Sequence, residues 1–256
     1  MFHNYESLFR AVIWEESMTR DIDFTWSQIE GTDFAWILVL LVVAVIPLAN
    51  AARNRDSIAL GMVLSLLLVH FVQFFLSSFH SRLEFYPIDI FSIIPGLAGE
   101  PWQGHRMVTS AWLHADFIHV LGNVLVIAMA GVPLEQRLGA RRWIIIYFIG
   151  FIGGNIAWIL SHPNSFVPAI GASGAAFGLL GAYMACWPED KIDFPLIFVI
   201  KAWPVWLIAF VRLGFEIFQM YSIQSGTAGE TNIAHMAHIG GFFLAYSLAR
   251  PIARGA

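Results

Sequence analysis

The chain has 256 residues, of which 58% are apolar and only 12% charged, with a mean hydropathy of +0.68; soluble domains carry about 25% charge. A globule of this size leaves much of its area in contact with its solvent, so the solvent here has to be lipid. The formal net charge of −4 excludes nucleic acid as a main partner, and the single cysteine, Cys186, excludes an internal disulfide.

Residues 1–33 hold seven acids against Arg10 and Arg20. They read as an acidic leader outside the membrane, and neither a cleavable signal peptide nor an Arg-rich transit peptide is indicated. Stretches free of Asp, Glu, Lys and Arg then run over 34–52, 57–79, 117–134, 143–188 and 231–249. About 20 such residues cross a bilayer. Ser161-His162-Pro163-Asn164 and Pro168 split the 143–188 stretch in two, and 195–220 is a further apolar segment despite Lys201, Arg212 and Glu216. The expectation is an all-α, polytopic membrane helix bundle. A first span at 34–52 is followed by spans near 57–79, 115–133, 143–160, 171–187, 195–220 and 232–249. The connection 80–112, rich in Phe, Ile, Pro and Trp, reads as interfacial.

If the spans alternate, Arg53, Arg55, Arg137, Arg141, Arg142, Lys191, Arg250 and Arg254 fall on one side. The excess of basic residues makes that side cytoplasmic, which puts the N-terminus outside and the C-terminus in the cytoplasm of a multi-pass protein of the cell (inner or plasma) membrane.

Polar side chains within spans are costly and usually face a protein interior or a wet cavity. His119 and Asn123, spaced i,i+4, share one face of the third helix; the pair is compatible with fastening two helices and equally with an active-site role. Ser173, in Gly171-Ala172-Ser173-Gly174, follows Pro168 and Gly171 and so stands near a helix N-terminus, where free N–H groups favour a developing anion. A serine there also has the plainer option of bonding its own i−4 carbonyl. His238 lies in the last helix beside Ala234, Ala237, Gly241 and Ala245, and the serine helix carries Gly174 and Gly178. Such small residues let two membrane helices approach closely, close enough for a hydroxyl and an imidazole to meet. Hydroxyl, base and oxyanion donors are what acyl transfer requires. With no carboxylate expected near His238, a Ser–His dyad is the reading. Arg212 and Glu216, spaced i,i+4, read as an interfacial anchor pair. No H-E-x-x-H occurs, so no metal and no other cofactor is expected, and no pair of intramembrane aspartates is present.

At these residues the sequence resembles the rhomboid family of intramembrane serine proteases. His114, His119 and Asn123 are similar to its H-x(4)-H-x(3)-N pattern. Gly171-Ala172-Ser173-Gly174 resembles its G-x-S-G, and Ala237-His238-Ile239-Gly240-Gly241 its A-H-x-x-G. Glu135-Gln136-Arg137-Leu138-Gly139 looks like its Glu-x-Arg-x-Gly turn, and Arg106 like the arginine of the preceding loop, with His105 where a Trp is common. The resemblance implies a six-helix rhomboid-like core within 57–250 plus one extra N-terminal transmembrane helix. It implies Ser173 as nucleophile, His238 as base, and His119, Asn123 and the Ser173 N–H as oxyanion hole, with Phe177 stacked on His238 and with His114, Gly171, Gly174 and Arg106 in support. The partners it implies are the lipid bilayer and single-span membrane protein substrates, cut near the outer face, with 195–220 as a lateral gate. A catalytically inactive rhomboid-like protein that binds membrane clients, and a transporter or channel, are the competing readings; the presence of both Ser173 and His238 argues against the first, and the lack of an inverted repeat against the second.

Overall fold

Arg53-Asn54-Arg55-Asp56 interrupts two long uncharged runs, and the chain turns there between two helices, with Arg55 at φ 62°. These are α1, Gly31–Asn54, and α2, Ile58–Ser78. In this computed structural model the described residues are 31–78, 105–163, 169–196, 199–227 and 233–254; the expected leader, apart from its last three residues, and most of the 80–112 connection lie outside them.

After two short helical turns, Arg106–Thr109 and Ser110–Trp112, comes α3, Phe117–Leu138, whose residues Ile127–Gly131 form a π turn. Pro133 explains the widening: it has no N–H to donate, and in a regular helix its ring would press on the carbonyl of Met129. Gly139, at φ 78°, separates α3 from α4, Ala140–Ser161. The predicted break at Ser161-His162-Pro163 is where α4 ends, and α5 runs over Ser173–Cys186. Then follow α6, Val205–Gln224, and α7, His235–Arg254.

The expected span 195–220 needs correction. Of its first ten residues, 195, 196 and 199–204 belong to two antiparallel strands, β1 (Lys191–Leu196) and β2 (Val199–Pro204), in register Lys191 to Pro204 and Leu196 to Val199. α6 starts only at Val205, because Pro204 sits before it at φ −65°, ψ 142°. Pro204 is therefore the entry to this helix and not a bend within it. The apolar β-branched residues of 192–200 satisfy a hydropathy search as well in a strand as in a helix.

Glycine sets how the helices pack. A Cβ at Gly150 of α4 would lie 2.7 Å from Gly178 Cα of α5, and one at Gly154 would lie 2.7 Å from Ala237 O of α7. One at Gly241 of α7 would run into Gly174 O. Backbones of α4, α5 and α7 thus touch, as close-packed membrane helices with small interfacial residues do. Around them a core forms that includes the fully buried Trp143, Ile146, Tyr147, Leu179 and Leu180. α5 is buried along its whole first eleven residues. The outer helices instead expose their apolar side chains: Leu38 and Val45 on α1, Phe71 and Phe74 on α2, Phe210 and Phe218 on α6. A band of that kind faces hydrocarbon.

Among the described residues five helices, over 35–54, 58–75, 117–138, 140–161 and 205–224, are long and apolar enough to cross a membrane. The chain is an integral, multi-pass, all-α membrane protein, the small hairpin excepted. One end of the bundle gathers the basic connections. There Glu135 accepts hydrogen bonds from Ser57 Oγ (2.6 Å), Ile58 N (2.8 Å) and Ala59 N (2.9 Å), capping α2. Arg137 pairs with Asp190 at 2.7 Å, and Arg250 Nε donates to Ala185 O at 2.7 Å. The other end carries the polar groups predicted from the sequence.

Candidate active site

Asp116 opens α3 by accepting the His119 N–H on its side chain at 2.8 Å, an N-cap. That cap orients the first turn of α3, and His119 and Asn123 project from one face of it towards the serine loop. Gly171 is the meeting point. At φ 118° it takes a conformation that side chains rarely adopt, and a Cβ there would lie 2.7 Å from His119 Nε2 and 3.5 Å from Asn123 Nδ2. Its N–H donates to Ser110 O at 2.9 Å, tying the loop to the short helices that begin with the buried Arg106.

His114 is fully buried beside this turn. Its Nδ1 lies 3.3 Å from Trp112 O and therefore carries the proton, and its Nε2 accepts from Asn123 Nδ2 at 2.9 Å and from the Ala172 N–H at 3.4 Å. One imidazole thus fixes both Asn123 and the backbone immediately before Ser173. Burial, with His119 and His70 adding like charge, holds His114 well below the ordinary histidine pKa of 6.5, so it stays neutral and keeps accepting. Gln73 of α2 clamps the same residue from behind, its amide giving to His114 O at 3.0 Å and taking from His114 N at 3.1 Å. The role of Gln73 was missed from the sequence, although a lone amide in an uncharged span is itself a signal.

Ser173 is the first residue of α5, 9% exposed, and His238 on α7 is 8% exposed. Three observations bring the two helices together at this level. A Cβ on Gly174 would stand 3.6 Å from Ala237 O. Gly241, one turn after His238, packs on Gly174 O. Phe177, one turn after Ser173, stacks on the His238 ring with centroids 4.5 Å apart and planes 6° from parallel. The expected stacking is present in the structure, and Arg212 of α6 lies over the Phe177 ring at 5.3 Å.

Glu216 overturns two expectations. It is not an interfacial anchor beside Arg212 but 3% exposed, with Oε2 at 2.6 Å from His235 Nδ1 and 2.9 Å from His238 Nδ1. Nor is His238 remote from any carboxylate. The His235 contact has hydrogen-bond geometry, whereas the His238 ring meets the same oxygen at 2.9 Å without hydrogen-bond alignment. The sequence hid this because Glu216 and His238 are 22 positions apart on different helices, and only the fold shows which face of α6 turns inward. The ligating atoms of Glu216, His235 and His238 all lie within 4.8 Å of one another, a donor set that the expectation of no metal did not foresee. Two ligand atoms on a tetrahedral zinc stand about 3.3 Å apart, further than these nitrogens stand from the oxygen, so hydrogen bonding suits the geometry better.

The Rhomboid domain model matches residues 101–255, which include His114, His119, Asn123, Ser173, Glu216, His235 and His238 but not Gln73. RHOMBOID-like protein 5 of Arabidopsis thaliana is 37% identical over 87 residues, 34% of this chain and 27% of that protein. RHOMBOID-like protein 2 of the same plant is 34% identical over 146 residues, 57% of the chain and 41% of the relative. Rhomboid-related protein 1 of Caenorhabditis elegans is 30% identical over 152 residues, 59% and 40% respectively. The chain spans less than half the length of each of these relatives. With more than half of its residues inside the family match, this chain belongs to the rhomboid family, which includes intramembrane serine proteases.

Proposed function

We propose that the chain is an intramembrane serine endopeptidase that cuts single-span membrane proteins near the outer face of the bilayer. Ser173 is the nucleophile and His238 the base that takes its proton. The alkoxide attacks a peptide carbonyl, and His119, Asn123 and the Ser173 N–H donate to the resulting oxyanion. The proton on His238 passes to the leaving amine, and water then releases the acyl group from Ser173. The observation that carries this reading is the docking of α5 on α7, where the Phe177–His238 stack and the Gly174–Gly241 contact bring the serine and histidine turns to one level.

The length of α5 supports action inside the membrane. Its 14 residues measure about 21 Å against about 30 Å of hydrocarbon, so with its far end level with the basic end of the bundle, Ser173 lies below the opposite surface. Water reaches it through a polar cavity on that side. Substrate helices, whose carbonyls are already bonded to their own i+4 amides, have to unwind before attack. They enter past α6, which exposes Phe210, Phe215 and Phe218. In this proposal 57–250 is the protease unit, 34–52 an added span, 1–33 an external leader, and the basic end is cytoplasmic.

Purified wild-type protein in detergent should be labelled by a fluorophosphonate and should cut single-span substrates. Ser173→Ala should lose both while melting at an unchanged temperature. A folded wild-type protein that neither labels nor cleaves would be a noncatalytic client-binding member of the family, and the proposal would fail.

A further inference from the structure

We infer that Glu216 is a positioning residue for His238, the catalytic base of the proposed Ser173–His238 dyad; the inference rests on the protease reading above. A carboxylate in the middle of a membrane helix is costly unless partnered, and Glu216 sits on α6 among exposed phenylalanines. It turns away from the lipid to place one oxygen against two imidazole Nδ1 atoms, at 2.6 Å and 2.9 Å. Facing a carboxylate, each ring keeps its proton on Nδ1, which leaves the His238 Nε2 lone pair to accept the Ser173 hydroxyl proton. When that proton arrives, the imidazolium is held between the carboxylate edge-on and the Phe177 face. This is how the acid of a hydrolase triad acts: it selects the tautomer and stabilises the cation without itself taking the proton.

His235 has the complementary task. Its hydrogen bond anchors Glu216, while the unaligned approach to His238 is of the kind that tightens when substrate is bound. The plainer alternative, that Glu216 only fastens α6 to α7, predicts an effect on stability and none on the chemical step.

The test measures saturable fluorophosphonate inactivation in detergent, which separates the maximal rate kinact from the binding constant KI. Glu216→Gln keeps the shape of the side chain but offers an amide that favours the wrong tautomer. It should lower kinact by at least about tenfold with KI unchanged, and Glu216→Asp should recover part of the loss. His235→Gln, which loosens only the anchor of the carboxylate, should lower kinact less, and it decides the question if neither Glu216 variant folds. Unchanged kinact in folded Glu216→Gln, or in His235→Gln when that variant stands alone, overturns the proposal while Ser173-dependent labelling of the wild type leaves the protease reading intact. No labelling of the wild type overturns both. Chelator treatment of the wild type should leave kinact unchanged; a loss restored by zinc would make the three side chains a metal site and overturn the proposal.

Discussion

Gly171 combines two constraints that no other residue type meets. Its φ of 118° is strained for any side chain, and a Cβ would lie 2.7 Å from His119 Nε2. Strain of that kind costs about 1–3 kcal/mol, and the clash displaces the ring proposed to face the oxyanion. Gly171→Ala should therefore lose at least about tenfold in fluorophosphonate labelling rate, with a lowered melting temperature in the same detergent. His114 gives a second prediction at this scale, because it accepts from Asn123 and from Ala172 only while neutral. Its folded pKa lies well below the ordinary 6.5. Above that ordinary value neither the folded nor the unfolded form is protonated, and His114 adds no pH dependence. Below it the unfolded chain takes up a proton that the folded chain refuses, so stability falls as pH drops, by up to about 1.4 kcal/mol per pH unit. Melting curves between pH 7.5 and 5 should show this loss, and His114→Gln, less stable throughout, should show a shallower one.

At the scale of elements, the start of α2 depends on a residue of α3. Glu135 is 8% exposed and takes three hydrogen bonds from residues 57–59, satisfying donors that a helix N-terminus otherwise leaves open. Glu135→Ala strands those donors and should cost at least about 2 kcal/mol, read as a lower melting temperature, while Gln136→Ala on the exposed face should change little. Most elements could be read from charge-free runs and from proline and glycine breaks, since membrane helices have to satisfy their own backbone and reveal themselves by hydropathy. Hydropathy failed where it carries no period: 195–204 is apolar enough to extend a span, and only the pairing of 199–204 with 191–196 shows strands there. The π turn at 127–131 follows from Pro133, whose position was visible but whose consequence depends on the helix continuing to Leu138. The packing motif was half legible. Gly174, Gly178 and Gly241 stood out as small-residue pairs, whereas Gly150 and Gly154 gained their meaning only once α4 was seen between α5 and α7.

Across the whole molecule the two ends differ in kind. One holds the exposed ion pair of Arg137 and Asp190 and the Arg250 bond to α5; the other holds His114, Asn123, Ser173, Glu216, His235 and His238, each at most 9% exposed. The positions proposed as nucleophile, base and donors were legible because polar groups are rare and expensive in so apolar a chain. Glu216 was not, since its i,i+4 relation to Arg212 offered a simpler local account and its true partners lie on another helix. The asymmetry of the ends also makes the proposed orientation testable. Basic connections remain in the cytoplasm, so Ser57 and Ser161, which stand at the ends of different connections, should lie on opposite sides of the membrane. In a Cys186→Ser background, a membrane-impermeant maleimide added to intact cells should label Ser161→Cys, which is exposed, and should reach Arg55→Cys, exposed beside Ser57, only after the membrane is opened. The reverse pattern would place Ser173 near the cytoplasmic face and move the expected cleavage of substrates to that side.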